Sequence, residues 1–176
     1  ARTWTLVTPA YVNLFDNSAA NPAACPRAPA LVGRNCIAWD PAFGFAANVL
    51  GVTYLWRNAP TGNMIESDIT LNPAPMIPNP PPMPPTLLTW QGSPPACGGP
   101  PGTPVGIEAV VLHELGHFLG LGHPNQFTVA GCGNDDPTDT TVMFANYTNA
   151  CETALAQPDK DGANYLYTAD LGDLPD

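Results

Sequence analysis

All three histidines of this chain fall within eleven residues, His113-Glu114-Leu115-Gly116-His117-Phe118-Leu119-Gly120-Leu121-Gly122-His123. The stretch continues an apolar run through Val105, Ile107, Val110, Val111, Leu112, Leu115 and Phe118, which predicts a helix buried through the domain. Thr103 and Pro104 supply a candidate N-cap and first helical residue. On such a helix His113 and His117 lie one turn apart and point from the same face, so both imidazoles can reach one ion. Gly120 allows a left-handed turn at the helix end at little steric cost, and that turn would bring His123 back to the same ion. Three neutral nitrogens leave one tetrahedral position for water, the arrangement of a catalytic zinc site, whereas a structural zinc has all four positions closed. Glu114 projects beside the ligands and is the candidate to hold that water without binding the metal. A short His-Glu-x-x-His match also arises by chance on ordinary amphipathic helices; the extended pattern with Gly120 and His123 is much harder to reach that way.

With 176 residues the chain has room for one domain with a real core, and a single catalytic domain over 1–176 is expected. There is no run of 18 apolar residues, so membrane insertion is not expected. A formal net charge of -10 would repel a phosphate backbone, which argues against nucleic acid as a partner. Only 11% of residues are charged and 23 are proline, a composition that favours a rigid, loop-rich, extracellular protein. Four Trp, five Tyr and six Phe can build its core, so disorder is not expected. Any leader before Ala1 is expected to have been removed or to lie outside the given sequence. Cys25, Cys36, Cys97, Cys132 and Cys151 are too widely spaced for a metal knuckle and predict disulfides in an oxidising compartment, hence secretion. Sequence proximity favours Cys25 with Cys36 and Cys132 with Cys151, although spacing does not fix connectivity. Cys97 is then left as a buried thiol, a partner in an alternative disulfide, or a thiolate that could block the metal.

The His-Glu-x-x-His-x-x-Gly-x-x-His pattern resembles the signature of the metzincin metallopeptidases, and Thr141-Val142-Met143-Phe144 is similar to their methionine turn. The resemblance implies an α+β fold: a twisted mixed sheet of about five strands, an active-site helix and a C-terminal helix. It also implies an upper part to His123 and a smaller lower part over 124–176. His113, His117 and His123 would be the zinc ligands and Glu114 the general base. Met143 would be a hydrophobic floor beneath the ion, close to the plain core role it would have otherwise. Glu66–Asn72 is similar to a strand of the matrixin branch, and Leu155–Tyr167 to the matrixin C-terminal helix that ends in Leu-Tyr. Asp159 matches the aspartate that hydrogen-bonds the methionine turn; an acidic residue in a helix's first turn is also favoured when it merely faces solvent. Tyr147 matches a pocket-wall tyrosine, whereas Ala145 departs from the matrixin proline and from the zinc-binding tyrosine of astacins and serralysins. Pro124 is more serralysin-like. Pro158 replaces an aspartate that can bind a mature N-terminus, and no histidine is left for a second, structural zinc.

Elsewhere, Trp4–Leu14 reads as an opening strand interrupted by Pro9, Phe43–Leu50 as a short helix, and Val52–Trp56 as a strand. Eight prolines between Pro73 and Pro85 forbid a helix or central strand and predict a stiff loop that could border a cleft. Thr86–Trp90 reads as an edge strand along which an extended substrate could pair. Gly131–Asp139 offers oxygen ligands for calcium without EF-hand spacing, and otherwise reads as solvated turns. The expectation is a secreted, monomeric zinc endopeptidase with protein or peptide substrates. Its rivals are a zinc-binding interaction domain without proteolysis and a zinc hydrolase of a non-peptide amide.

Overall fold

Gly51–Arg57 and Met64–Leu71 carry the densest β-forming runs, and they pair antiparallel as β2 and β3. In the computed structural model, which describes residues 31, 33–41, 44–46, 48–77, 82–92, 104–123, 141–144 and 154–168, β3 is the central strand. Cys36–Trp39, β1, lies parallel on its other side with Cys36 opposite Asp68 and Trp39 opposite Leu71. The protein is thus mixed α+β, and its sheet among the described residues has three strands in the order β1-β3-β2.

The remaining strands are two-residue ladders. Met76–Ile77 (β4) pairs antiparallel with Thr86–Leu87 (β5), and Trp90–Gln91 (β6) pairs parallel with Val105–Gly106 (β7). Among the described residues two helices follow, α1 over Ile107–Phe118 and α2 over Gln157–Thr168. Among the described residues, no helix is long and apolar enough to cross a membrane.

Because β3 is covered on both faces, all of Glu66–Leu71 is buried. Alternation along a strand sends Ile69 and Leu71 to one face, where they join Val110, Leu112, Leu115, Leu119, Val142 and Met143 in the main core. Glu66, Asp68 and Thr70 share the other face. The two carboxylates there are matched by backbone donors: Glu66 Oε2 accepts from the N–H groups of Gly33 and Arg34, and Asp68 Oδ1 accepts from that of Cys36 at 2.9 Å. These bonds tie the entry of β1 to the central strand. Cys36 is disulfide-bonded; the other four cysteines, and with them the partner of Cys36, the predicted Cys132–Cys151 pair and Cys97, lie outside the described residues.

Several expectations are corrected. The predicted helix over Phe43–Leu50 is absent from its described residues, where Gly44 has a φ of 74° and one isolated bond links Val49 N–H to the Ala46 carbonyl. Thr86–Trp90 is not one strand, because its two ends have different partners: Thr86–Leu87 pairs with β4, a register that the Leu88 N–H continues to the Pro75 carbonyl at 2.8 Å, whereas Trp90 pairs with Val105. Helix α1 begins later than Pro104: Val105 donates its N–H to the Thr89 carbonyl and extends into β7, so Gly106 becomes the N-cap, with no side-chain cap bond. The opening strand predicted in Trp4–Leu14 lies outside the described residues.

The end of α1 is built as the spacing predicts. Gly120, at φ 95°, donates its N–H to the His117 carbonyl, and Leu121 donates to Gly116. This pair of bonds is a Schellman ending, with glycine in the left-handed position. Helix α2 packs against that turn, with the Tyr167 hydroxyl donating to the Leu119 carbonyl at 2.7 Å.

Candidate metal centre

The turn at Gly120 carries His123 back towards α1. Its Nε2 lies 3.0 Å from Nε2 of His113 and 2.9 Å from Nε2 of His117. Four-coordinate zinc with nitrogen ligands at their usual distance would separate neighbouring nitrogens by roughly 3.3 Å, so both separations are already close to those of ligands around one ion. The three side chains form a group able to hold a metal ion.

The opposite edges of two rings decide their tautomers. His113 Nδ1 is 2.6 Å from the Val142 carbonyl oxygen, and His117 Nδ1 is 2.7 Å from that of Leu121. A carbonyl has no proton to give, so each Nδ1 must be the donor and each Nε2 keeps its lone pair for an ion. Burial pushes the His113 pKa down to about 4, against the Val142 hydrogen bond, which raises it; the neighbouring histidines lower it further. Burial likewise lowers that of His117, opposed by its bond to Leu121. Both shifts favour the neutral imidazole that metal binding requires.

Behind His113 stands the turn Thr141–Phe144, closed by the Phe144 N–H to the Thr141 carbonyl. Asp159 holds this turn from the first turn of α2: its carboxylate accepts from the N–H groups of Val142 at 2.9 Å, Met143 at 3.1 Å and Ala156 at 2.9 Å. With 3% of its surface exposed, Asp159 does not face solvent. One chain of bonds therefore runs from the Asp159 carboxylate through the Val142–Met143 peptide, by the Met143 N–H and the Val142 carbonyl, to the His113 ring. Met143 is buried in the core beside it.

Glu114 is also buried, at 4% exposure, and turns towards β2. Its Oε2 accepts a hydrogen bond of 2.6 Å from the Thr53 hydroxyl, and its other oxygen lies over Gly51. Burial raises the Glu114 pKa to about 7, while the Thr53 bond works in the opposite direction. A carboxyl near neutrality can both take up and release a proton. Thr53 and Gly51 carry no signal in the sequence beyond their place in a strand.

A pKa raised above its ordinary value means that the metal-free fold is favoured while Glu114 is protonated. Its contribution to stability is fully present below about pH 4.5 and is lost as pH rises through about 7. In the metal-free protein, Glu114→Gln is therefore expected to gain stability relative to the parent, by up to roughly 3 kcal/mol between about pH 4.5 and about pH 8. Urea unfolding of both proteins across that range measures the gap; a gap independent of pH contradicts the burial of an ionisable Glu114.

Tyr147 and the calcium candidates of Gly131–Asp139 lie outside the described residues. What the geometry defines is a mixed α+β protein with three histidines close enough to hold a metal ion and a buried glutamate next to the first of them. Comparison of the chain with protein-family models, with curated proteins and with solved structures finds no match.

Proposed function

We propose that this protein is a secreted zinc-dependent endopeptidase of metzincin, matrixin-like type. The observation that carries the reading is the convergence of three histidine Nε2 atoms, two from a helix with their tautomers set by backbone carbonyls and one from the segment after it, with a buried glutamate directly following the first. The all-imidazole donor set suits zinc and leaves one coordination position open. Tight support of the histidines from Val142, Leu121 and Asp159 accords with the methionine-turn resemblance.

A bound zinc ion would supply Lewis acidity and a water of lowered pKa. The chain supplies the rest. Glu114 takes the proton released as water attacks the scissile carbonyl, and then returns it to the departing amine. In the metal-free protein burial raises its pKa to about 7, so its proton affinity is already above that of an ordinary carboxylate. The ordered turn from Leu119 to His123 keeps the third imidazole in place, with Tyr167 and the Schellman bonds fixing that turn.

A purely zinc-binding interaction domain has no use for a buried carboxyl beside the ligands, which is why catalysis is preferred over binding alone. Incubating the purified protein with a diverse peptide library and a set of non-peptide amides, with and without a zinc chelator, tests the reading. Chelator-sensitive cleavage within peptides is expected. Turnover restricted to non-peptide amides would make it a hydrolase of another class, and zinc binding without any turnover would leave the interaction domain.

A further inference from the structure

We propose that Thr53 is a positioning residue for the Glu114 carboxylate, fixing one oxygen so that the other is presented for proton transfer; the role rests on the endopeptidase reading above. The Thr53 hydroxyl lies 2.6 Å from Glu114 Oε2 and 3.0 Å from the Glu114 backbone oxygen. A hydroxyl has a single proton, and the shorter contact places it on the carboxylate, where an ionised acceptor strengthens the bond.

The hydroxyl is itself held firmly. Thr53 is β-branched and therefore restricted at χ1, and its backbone sits opposite Ile69, midway along the β2–β3 ladder. Glu114, by contrast, is a long side chain with several rotatable bonds, and burial alone does not choose among its rotamers.

Two residues back, on the same face of β2, is Gly51. A Cβ there would come within 2.9 Å of Glu114 Oε1 and 3.1 Å of its Cγ. Strand β2 thus meets the carboxylate with a hydrogen bond at one oxygen and, at the other, with a glycine whose missing Cβ leaves the room that oxygen occupies. The two residues form a cradle that admits one placement of the glutamate and reaches it from the sheet, independently of the helix that carries it. Thr53 and Glu114 are 61 positions apart, so nothing local in the sequence announces the pairing.

The test compares Thr53→Val, which keeps shape and removes the hydroxyl, with Thr53→Ser, which keeps the hydroxyl. In the zinc-loaded protein, Thr53→Val is expected to lower kcat by about 10- to 100-fold with KM and zinc content unchanged, and Thr53→Ser to restore most of it. A second readout needs neither metal nor turnover. The chain has four glutamates, Glu66, Glu108, Glu114 and Glu152, so selective carboxyl-13C labelling gives a short set of resonances in which Glu114→Gln identifies that of Glu114. In the metal-free protein at fixed pH, Thr53→Val should shift that resonance and Thr53→Ser should leave it near its original position. A Thr53→Val protein with unchanged kcat, or with the Glu114 resonance unmoved, overturns the proposal. So does a loss of kcat that tracks a fall in melting temperature and is not restored by serine. If the parent protein cleaves no peptide, the endopeptidase reading fails, and an unmoved resonance would separately remove the Thr53 bond.

Discussion

Replacing Glu114 with Gln is expected to lower kcat for peptide cleavage by about 10²- to 10⁴-fold while zinc content stays at the parent level. Gln has nearly the same volume, which matters at a site with 4% exposure, and its amide oxygen can still accept from the Thr53 hydroxyl. What it lacks is the capacity to take up a proton. The zinc ligands should not notice the change, because the His113 and His117 rings are held by the Val142 and Leu121 carbonyls and not by Glu114. Steady-state kinetics and metal analysis on the same preparation separate the two quantities. Substantial remaining activity would remove Glu114 from the role of base; loss of zinc with activity would make it a support of the metal centre instead.

The second large effect is expected at Asp159. Its carboxylate accepts three backbone N–H groups around a buried turn, and Asp159→Ala takes all three acceptors away at once. A buried donor left without its partner costs about 1–3 kcal/mol, so a loss of about 3 kcal/mol or more in unfolding free energy is expected. The damage should also reach the metal. The Val142–Met143 peptide, whose N–H donates to Asp159, is the one whose carbonyl orients His113, and loosening such an outer partner of a ligand typically weakens zinc binding by about 10- to 100-fold. Asp159→Asn, which retains one oxygen acceptor, should lie between the parent and alanine. Denaturant unfolding and competitive zinc titration check the two effects. A loss under about 1 kcal/mol in the alanine variant would contradict the account of the turn.

How far these features could be read in advance follows from the range of the interactions behind them. The histidine cluster was legible because each step is local: one helical turn from His113 to His117, then a glycine-terminated helix end that returns His123. Strands β2 and β3 were legible for the same reason, as runs of β-formers read residue by residue. The start of α1 was misplaced because Val105 and Gly106 are claimed by Trp90 and Gln91, and a strand partner in a distant segment overrides a favourable Thr-Pro cap. Asp159 stood between two readings until the packing of α2 against Thr141–Phe144 buried it. Thr53 and Gly51 stayed hidden altogether, since only the packing of α1 on the sheet brings them to Glu114.

On the proposed function, His113, His117 and His123 hold one zinc ion on which peptide hydrolysis depends. Zinc is added stepwise to the metal-free protein while cleavage of an internally quenched peptide is followed. Activity should rise linearly and level off at about one zinc per chain, with His117→Ala showing neither the rise nor the binding. Cleavage by the metal-free protein, or full occupancy by zinc with no cleavage of any peptide, would contradict it.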